Sequence, residues 1–209
     1  MITLSGFLLL LAALYGTIRL LFFSRIRNSL FYLCLAVSAL SLAVGIVGTE
    51  LETYFPWVDG RLFMDWSRIV SISFIMSGLS VLLWLSKPVF ARFPFVFCAL
   101  PLLLIAAFPF ARESDALKEM VLAMFQGGAI LIAIMLFVLK GLRNPNNYYV
   151  VAGISLIVIA YLMNFTPASY LPIDIWMIKL VVAAAIVLII HGLTRLTEEE
   201  DKTESFAGP

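Results

Sequence analysis

The chain has 209 residues, 63% of them apolar and 13% charged, with a formal net charge of +1. A soluble domain of this size carries roughly a quarter charged residues, because its core must be wrapped in a solvated surface, so half that charge excludes a chain whose whole surface meets water. The near-neutral balance points away from nucleic acid, and a single histidine with two cysteines (Cys34 and Cys98, each in an apolar run) is too few ligands for a zinc or bis-histidine haem site, so no metal or cofactor is expected.

A helix that spans a bilayer needs about 20 mostly apolar residues. Seven such stretches follow one another, and the fold class predicted is an all-α integral membrane protein with seven transmembrane helices. The first runs from Ile2 to Phe23 and stops at Ser24-Arg25-Ile26-Arg27-Asn28; it has no cationic start and no small-residue cleavage site, and reads as a retained helix. The second runs from Ser29 to Gly48. A loop of about sixteen residues then carries Glu50, Glu52, Pro56, Asp59, Gly60, Arg61 and Asp65. The third helix runs from Trp66 to Ser86 and stops at Lys87-Pro88, the fourth from Phe93 to Ala111, and the fifth from Leu117 to Lys140, before Arg143-Asn144-Pro145. The sixth runs from Tyr148 to Asn164 and, after a proline-marked turn, the seventh from Ile173 to Leu193. Residues 1–196 make one transmembrane domain, and 197–209 are expected to form a disordered acidic tail.

Orientation follows from the lysines and arginines, since positive loops stay in the cytoplasm. With the first connection inside, the inner side holds Arg25, Arg27, Lys87, Arg92, Lys140, Arg143, Arg195 and Lys202, and the outer side Arg61, Arg68, Arg112 and Lys118. Eight against four predicts an outside N-terminus and a cytoplasmic C-terminus, in the plasma (inner) membrane. Tyr54, Trp57, Trp66, Tyr170 and Trp176 fall near the outer interface, where amphipathic rings settle.

Two segments echo each other. Arg27-Asn28 and Arg143-Asn144 join corresponding helices, and Asp65-Trp66-Ser67-Arg68 and Asp174-Ile175-Trp176-Met177-Ile178-Lys179 open corresponding ones. The recurrence fits a 3+1+3 parallel repeat, two three-helix halves linked by the fourth helix. The other explanation is that interfacial anchors look alike in any membrane protein.

Ionisable side chains inside a bilayer are costly and are functional candidates. Arg19 and Lys179 lie within spans. Arg19 can snorkel to the inner interface or, with Arg25 and Arg27, bind an anionic lipid headgroup. Lys179, roughly 9 Å below the start of its helix, can snorkel, pair with Asp65, Glu119 or Asp174, or bind a ligand. A lysine in the seventh helix resembles the retinal-binding lysine of rhodopsins, but a protonated Schiff base needs a carboxylate within the helices and 71–78 contains none. Ser73, Ser77 and Ser80 share one face of the third helix, either for close packing or as a polar path. Gln126-Gly127-Gly128 is the best candidate for a local break in the fifth helix, with Gln126 seeking a partner. The candidate ligand-binding set is therefore Lys179, Gln126, Asp65 and Glu119.

Catalysis is not expected: Ser77 and Ser80 lack the glycine pattern of a nucleophile, and His191 lies near the other end of its helix. Coupled transport is disfavoured because every carboxylate lies at the edge of a span, in a loop or in the tail. Two readings remain. One is a non-catalytic accessory subunit or sensor that contacts a partner membrane protein, or another copy of itself, in addition to membrane lipids; Glu198-Glu199-Glu200-Asp201 offers a basic surface a place to dock. The other is a small uncoupled solute carrier or channel with its site between the three-helix halves. No motif here is specific to a family.

Overall fold

The computed structural model describes residues 4–86, 99–111, 115–141, 147–165 and 174–206. These form seven α-helices and no strand: α1 (Leu4–Arg27), α2 (Leu30–Tyr54), α3 (Gly60–Ser86), α4 (Leu103–Ala111, led in by a 3-10 turn at Leu100–Leu102), α5 (Asp115–Gly141), α6 (Tyr148–Phe165) and α7 (Ile175–Phe206). Five of them (α1, α2, α3, α5 and α7) are long and apolar enough to cross a membrane, while α6 offers a shorter apolar stretch, Tyr148–Asn164. The chain is thus an all-helical protein built for a membrane. Of the predicted fourth span, 93–98 lies outside the described residues.

The helices run further than hydropathy alone suggests. The predicted sixteen-residue loop shrinks to Phe55–Asp59, because Glu50-Leu51-Glu52 stays helical and α3 opens six residues before Trp66. Helix ends here are set by caps, not by where charge begins. Asp59 Oδ1 accepts the Leu62 N–H at 3.0 Å and so satisfies one of the free donors of the first turn of α3. Phe55 closes α2 in an extended conformation, its N–H bonded to Leu51 O at 2.8 Å. Asp65 therefore belongs to α3 and not to a loop. Between α1 and α2, Asn28 takes φ 46°, the left-handed residue that commonly ends a helix. At the other end of the chain, the backbone of α7 is helical through Glu198-Glu199-Glu200-Asp201 to Phe206, where the sequence reading places a disordered tail; glutamate and lysine are good helix formers. The predicted break at Gln126-Gly127-Gly128 does not occur, since α5 is continuous. A glycine costs a helix about 1 kcal/mol, less than stranding backbone N–H and C=O groups in an apolar setting.

Contacts divide the chain into two compact units, Met1–Ile132 and Ala133–Pro209, and the division falls inside α5 instead of flanking α4. In the first unit, α1 lays Leu9, Ala12, Ala13, Gly16, Leu20 and Phe23 on its buried face, and Phe23 meets Tyr32 of α2 with ring centroids 5.9 Å apart. A core of Ile69, Ile72, Leu104, Phe108 and Leu122 joins α3, α4 and α5, with Trp66 edge-on to Phe108 at 5.3 Å. In the second unit, α6 and α7 meet at glycines. A Cβ on Gly153 would stand 2.6 Å from Ile189 Cγ1, and one on Gly192 2.8 Å from the Val150 backbone nitrogen. Small residues are what allow helix backbones to approach this closely.

Candidate functional site

The strongest polar constellation is the seam between α2 and α3. Cys34, Ser38, Ser41, Gly45 and Gly48 recur on α2 at alternating four- and three-residue steps, the spacing that keeps one stripe facing a partner helix. Ser38 and Ser71 hydroxyls lie 2.7 Å apart. Ser41 and Ser67 bond reciprocally: Ser67 Oγ donates to Ser41 O at 2.6 Å and Ser41 Oγ to Ser67 O at 3.0 Å. Cys34 Sγ donates to Ser77 Oγ at 4.0 Å. A Cβ on Gly45 would overlap the side chain of Ser67, and one on Gly48 that of Phe63. The hydroxyls of this seam are thus spent on joining α2 to α3.

The serine face predicted from spacing is a different one. Ser73, Ser77 and Ser80 do share a side of α3, rotated away from the Ser67–Ser71–Gly78 stripe at the centre of the seam, and the edge of that side still reaches α2 where Cys34 meets Ser77. Ser80 bonds back to Met76 O at 2.9 Å. Ser73 is fully buried and its hydroxyl has no hydrogen-bond partner among the described residues.

Asp65 is committed. Lys118 Nζ donates to its Oδ2 at 3.0 Å, and both side chains are about 15% exposed (14% and 15%), so the pair ties the start of α5 to the start of α3 beside Trp66 and Leu122. Asp174 instead accepts the indole N–H of Trp176 at 3.0 Å. Lys179 is half-buried and makes no ion pair among the described residues; along α7 it heads the row that continues through buried Ala183 and Ile190. Glu119 is exposed on the first turns of α5, and Gln126 is half-buried further along it. Asp65, Glu119 and Gln126 fall in the first compact unit and Lys179 in the second. The pairing of Asp65 with Lys118 escaped the sequence reading because it depends on which helix lies beside α3.

The three arginines of α1 do not form one cluster. At 100° per residue, Arg25 points roughly 240° around the helix from Arg19, and Arg27 about 80°. Arg25 is exposed. Arg19 sets its guanidinium over the ring of Phe23, 5.4 Å from the centroid, and its Nε is buried without a partner among the described residues. A second basic group, also not foreseen, stands in the other unit. Arg195 lies 5.0 Å over Tyr149, and His191 meets the same ring edge-on at 5.1 Å. Buried Asn147, just before α6, leaves its Oδ1 unpartnered. Among the described residues no group of three or more His, Cys, Asp or Glu side chains stands close enough to hold a metal.

No protein-family model, curated protein or solved structure matches this chain.

Proposed function

We propose that this chain is a seven-helix plasma-membrane protein, N-terminus outside and C-terminus in the cytoplasm, that acts without catalysis as an accessory subunit or sensor through contact with a partner protein. The observation that carries this reading is the use made of interior polar groups. Ser38, Ser41, Ser67 and Ser71 bond helix to helix, and Asp65 is held by Lys118. Polar groups spent on joining helices support a scaffold more than a solute path. The bias of basic residues supports the orientation, as the hydropathy of the shorter segments supports seven spans.

Native mass spectrometry of the protein, extracted gently from its own membrane, tests the reading. A stoichiometric partner protein is expected. A lone monomer or homo-oligomer retaining a small molecule would overturn it in favour of an uncoupled carrier or channel built on two three-helix halves. One observation favours that second reading, the half-buried Lys179 with no ion pair among the described residues.

A further inference from the structure

Arg19 is a cation without a counter-ion among the described residues. Its Nε is buried and unpartnered, and its only described interaction is with the Phe23 ring. The sequence explains why no described carboxylate of the first unit stands near it: no acidic residue occurs between Met1 and Gly48, nor between Trp66 and Ala111. In the first unit, Glu50 and Glu52 stand about 30 Å along α2 from its start, Asp59 caps α3, Asp65 is bonded to Lys118, and Asp115 and Glu119 belong to the first turns of α5, whose start that bond ties to the start of α3. The end of the unit where α1 turns into α2 has only positive charge among its described residues, Arg19, Arg25 and Arg27.

Depth decides what can neutralise Arg19. As a 24-residue helix, α1 is about 36 Å long, against a hydrocarbon layer of about 30 Å. Arg19 is eight residues, or about 12 Å, from the Arg27 end, so its Cα sits roughly 9 Å inside the layer if α1 is centred. Snorkelling by an arginine side chain spans most of that distance. Phe23 lies one turn nearer that end, and the guanidinium over its ring is directed the same way, against the usual lean of helical side chains towards the N-terminus. On its outer side Arg19 borders Tyr15, Ile18, Phe22 and Ile26, all exposed and apolar. A phosphate at the boundary, carrying acyl chains along that stripe, matches both halves of the surface.

We propose that Arg19 binds the phosphate of an anionic phospholipid from the leaflet at the Arg27 end of α1. The guanidinium donates to two phosphate oxygens, a geometry that lysine cannot reproduce. Phe23, wedged between Arg19 and Tyr32, holds the guanidinium in place. Arg25 faces another side of the helix and takes no part. This site stands whether or not the protein has a partner subunit.

Purified, delipidated protein is titrated with phosphatidylglycerol, with phosphatidylcholine and with inorganic phosphate, and bound species are counted by native mass spectrometry. Wild-type protein is expected to prefer phosphatidylglycerol by about fivefold, the effect of one well-placed arginine. Arg19→Met is expected to abolish the preference and Arg25→Gln to keep it. Equal binding of the two lipids, or a preference that survives Arg19→Met, would overturn the proposal. Displacement of phosphatidylglycerol by millimolar phosphate would reassign the site to the free ion. A co-purifying protein lost on Arg19→Met, with no lipid preference, would reassign it to a partner's carboxylate. If Arg19→Met does not fold, a photoactivatable phosphatidylglycerol on wild-type protein decides: labelling within 15–32 supports the site, and labelling elsewhere overturns it.

Discussion

Lys118 and Asp65 form the clearest commitment of charge among the described residues. Each is about 15% exposed, so either one alone would be left largely desolvated. Lys118→Met should cost about 1–3 kcal/mol, measured by thermal unfolding in mild detergent, and the reversed pair Lys118→Asp with Asp65→Lys should recover most of the loss. If the double variant is no more stable than the sum of its parts, the contact is not an ion pair. Lys179 gives the opposite expectation. With no ion pair among the described residues, Lys179→Met should fold and unfold like wild type. A large loss of folded protein would reveal a buried counter-charge. The sequence shows that Asp65 and Lys179 are unusual, because charges near apolar runs stand out, but it does not show which helix each one faces. Partner choice is a tertiary property, and for Asp65 it fell to a lysine read only as a marker of topology.

At the scale of helices, glycine has two contrary roles. A Cβ on Gly45 would overlap Ser67 and disturb the reciprocal bonds between Ser41 and Ser67, so Gly45→Ala should destabilise by about 1–3 kcal/mol. Gly128 meets nothing within 4 Å, and Gly128→Ala should stabilise α5 by up to about 1 kcal/mol through helix propensity. Heat- or detergent-induced unfolding of the two variants, run side by side, checks both signs at once; a stabilising Gly45→Ala would mean that the seam is looser than described. Helix existence was legible in the sequence, because long apolar runs have few alternatives. The ends of α2 and α3 were not, since Glu50, Glu52 and Asp65 look like loop residues until Asp59 is recognised as a cap. The seam itself is written in the Cys34–Ser38–Ser41–Gly45–Gly48 spacing of α2, whereas the Ser73–Ser77–Ser80 spacing of α3 touches it at Ser77, which Cys34 meets.

For the molecule as a whole, the expected orientation has a direct test. A reporter active only on the outer side should work when fused to the N-terminus and fail when fused after Arg195. The reverse pattern would invert every assignment of loops to sides and would move the proposed lipid site of Arg19 to the other leaflet. Hydropathy counts spans but does not say how they group, and the two compact units meet inside α5, a boundary with no composition change to announce it. Both close helix pairings, α2 with α3 and α6 with α7, join neighbours in the chain across short connections. That locality sets a timetable. Pairing between consecutive segments needs no long chain closure and is fast. A nascent chain that has released Ser86 from the ribosome already contains everything its first seam requires, so the serine bonds of α2 and α3 can close while α5, α6 and α7 are still being made.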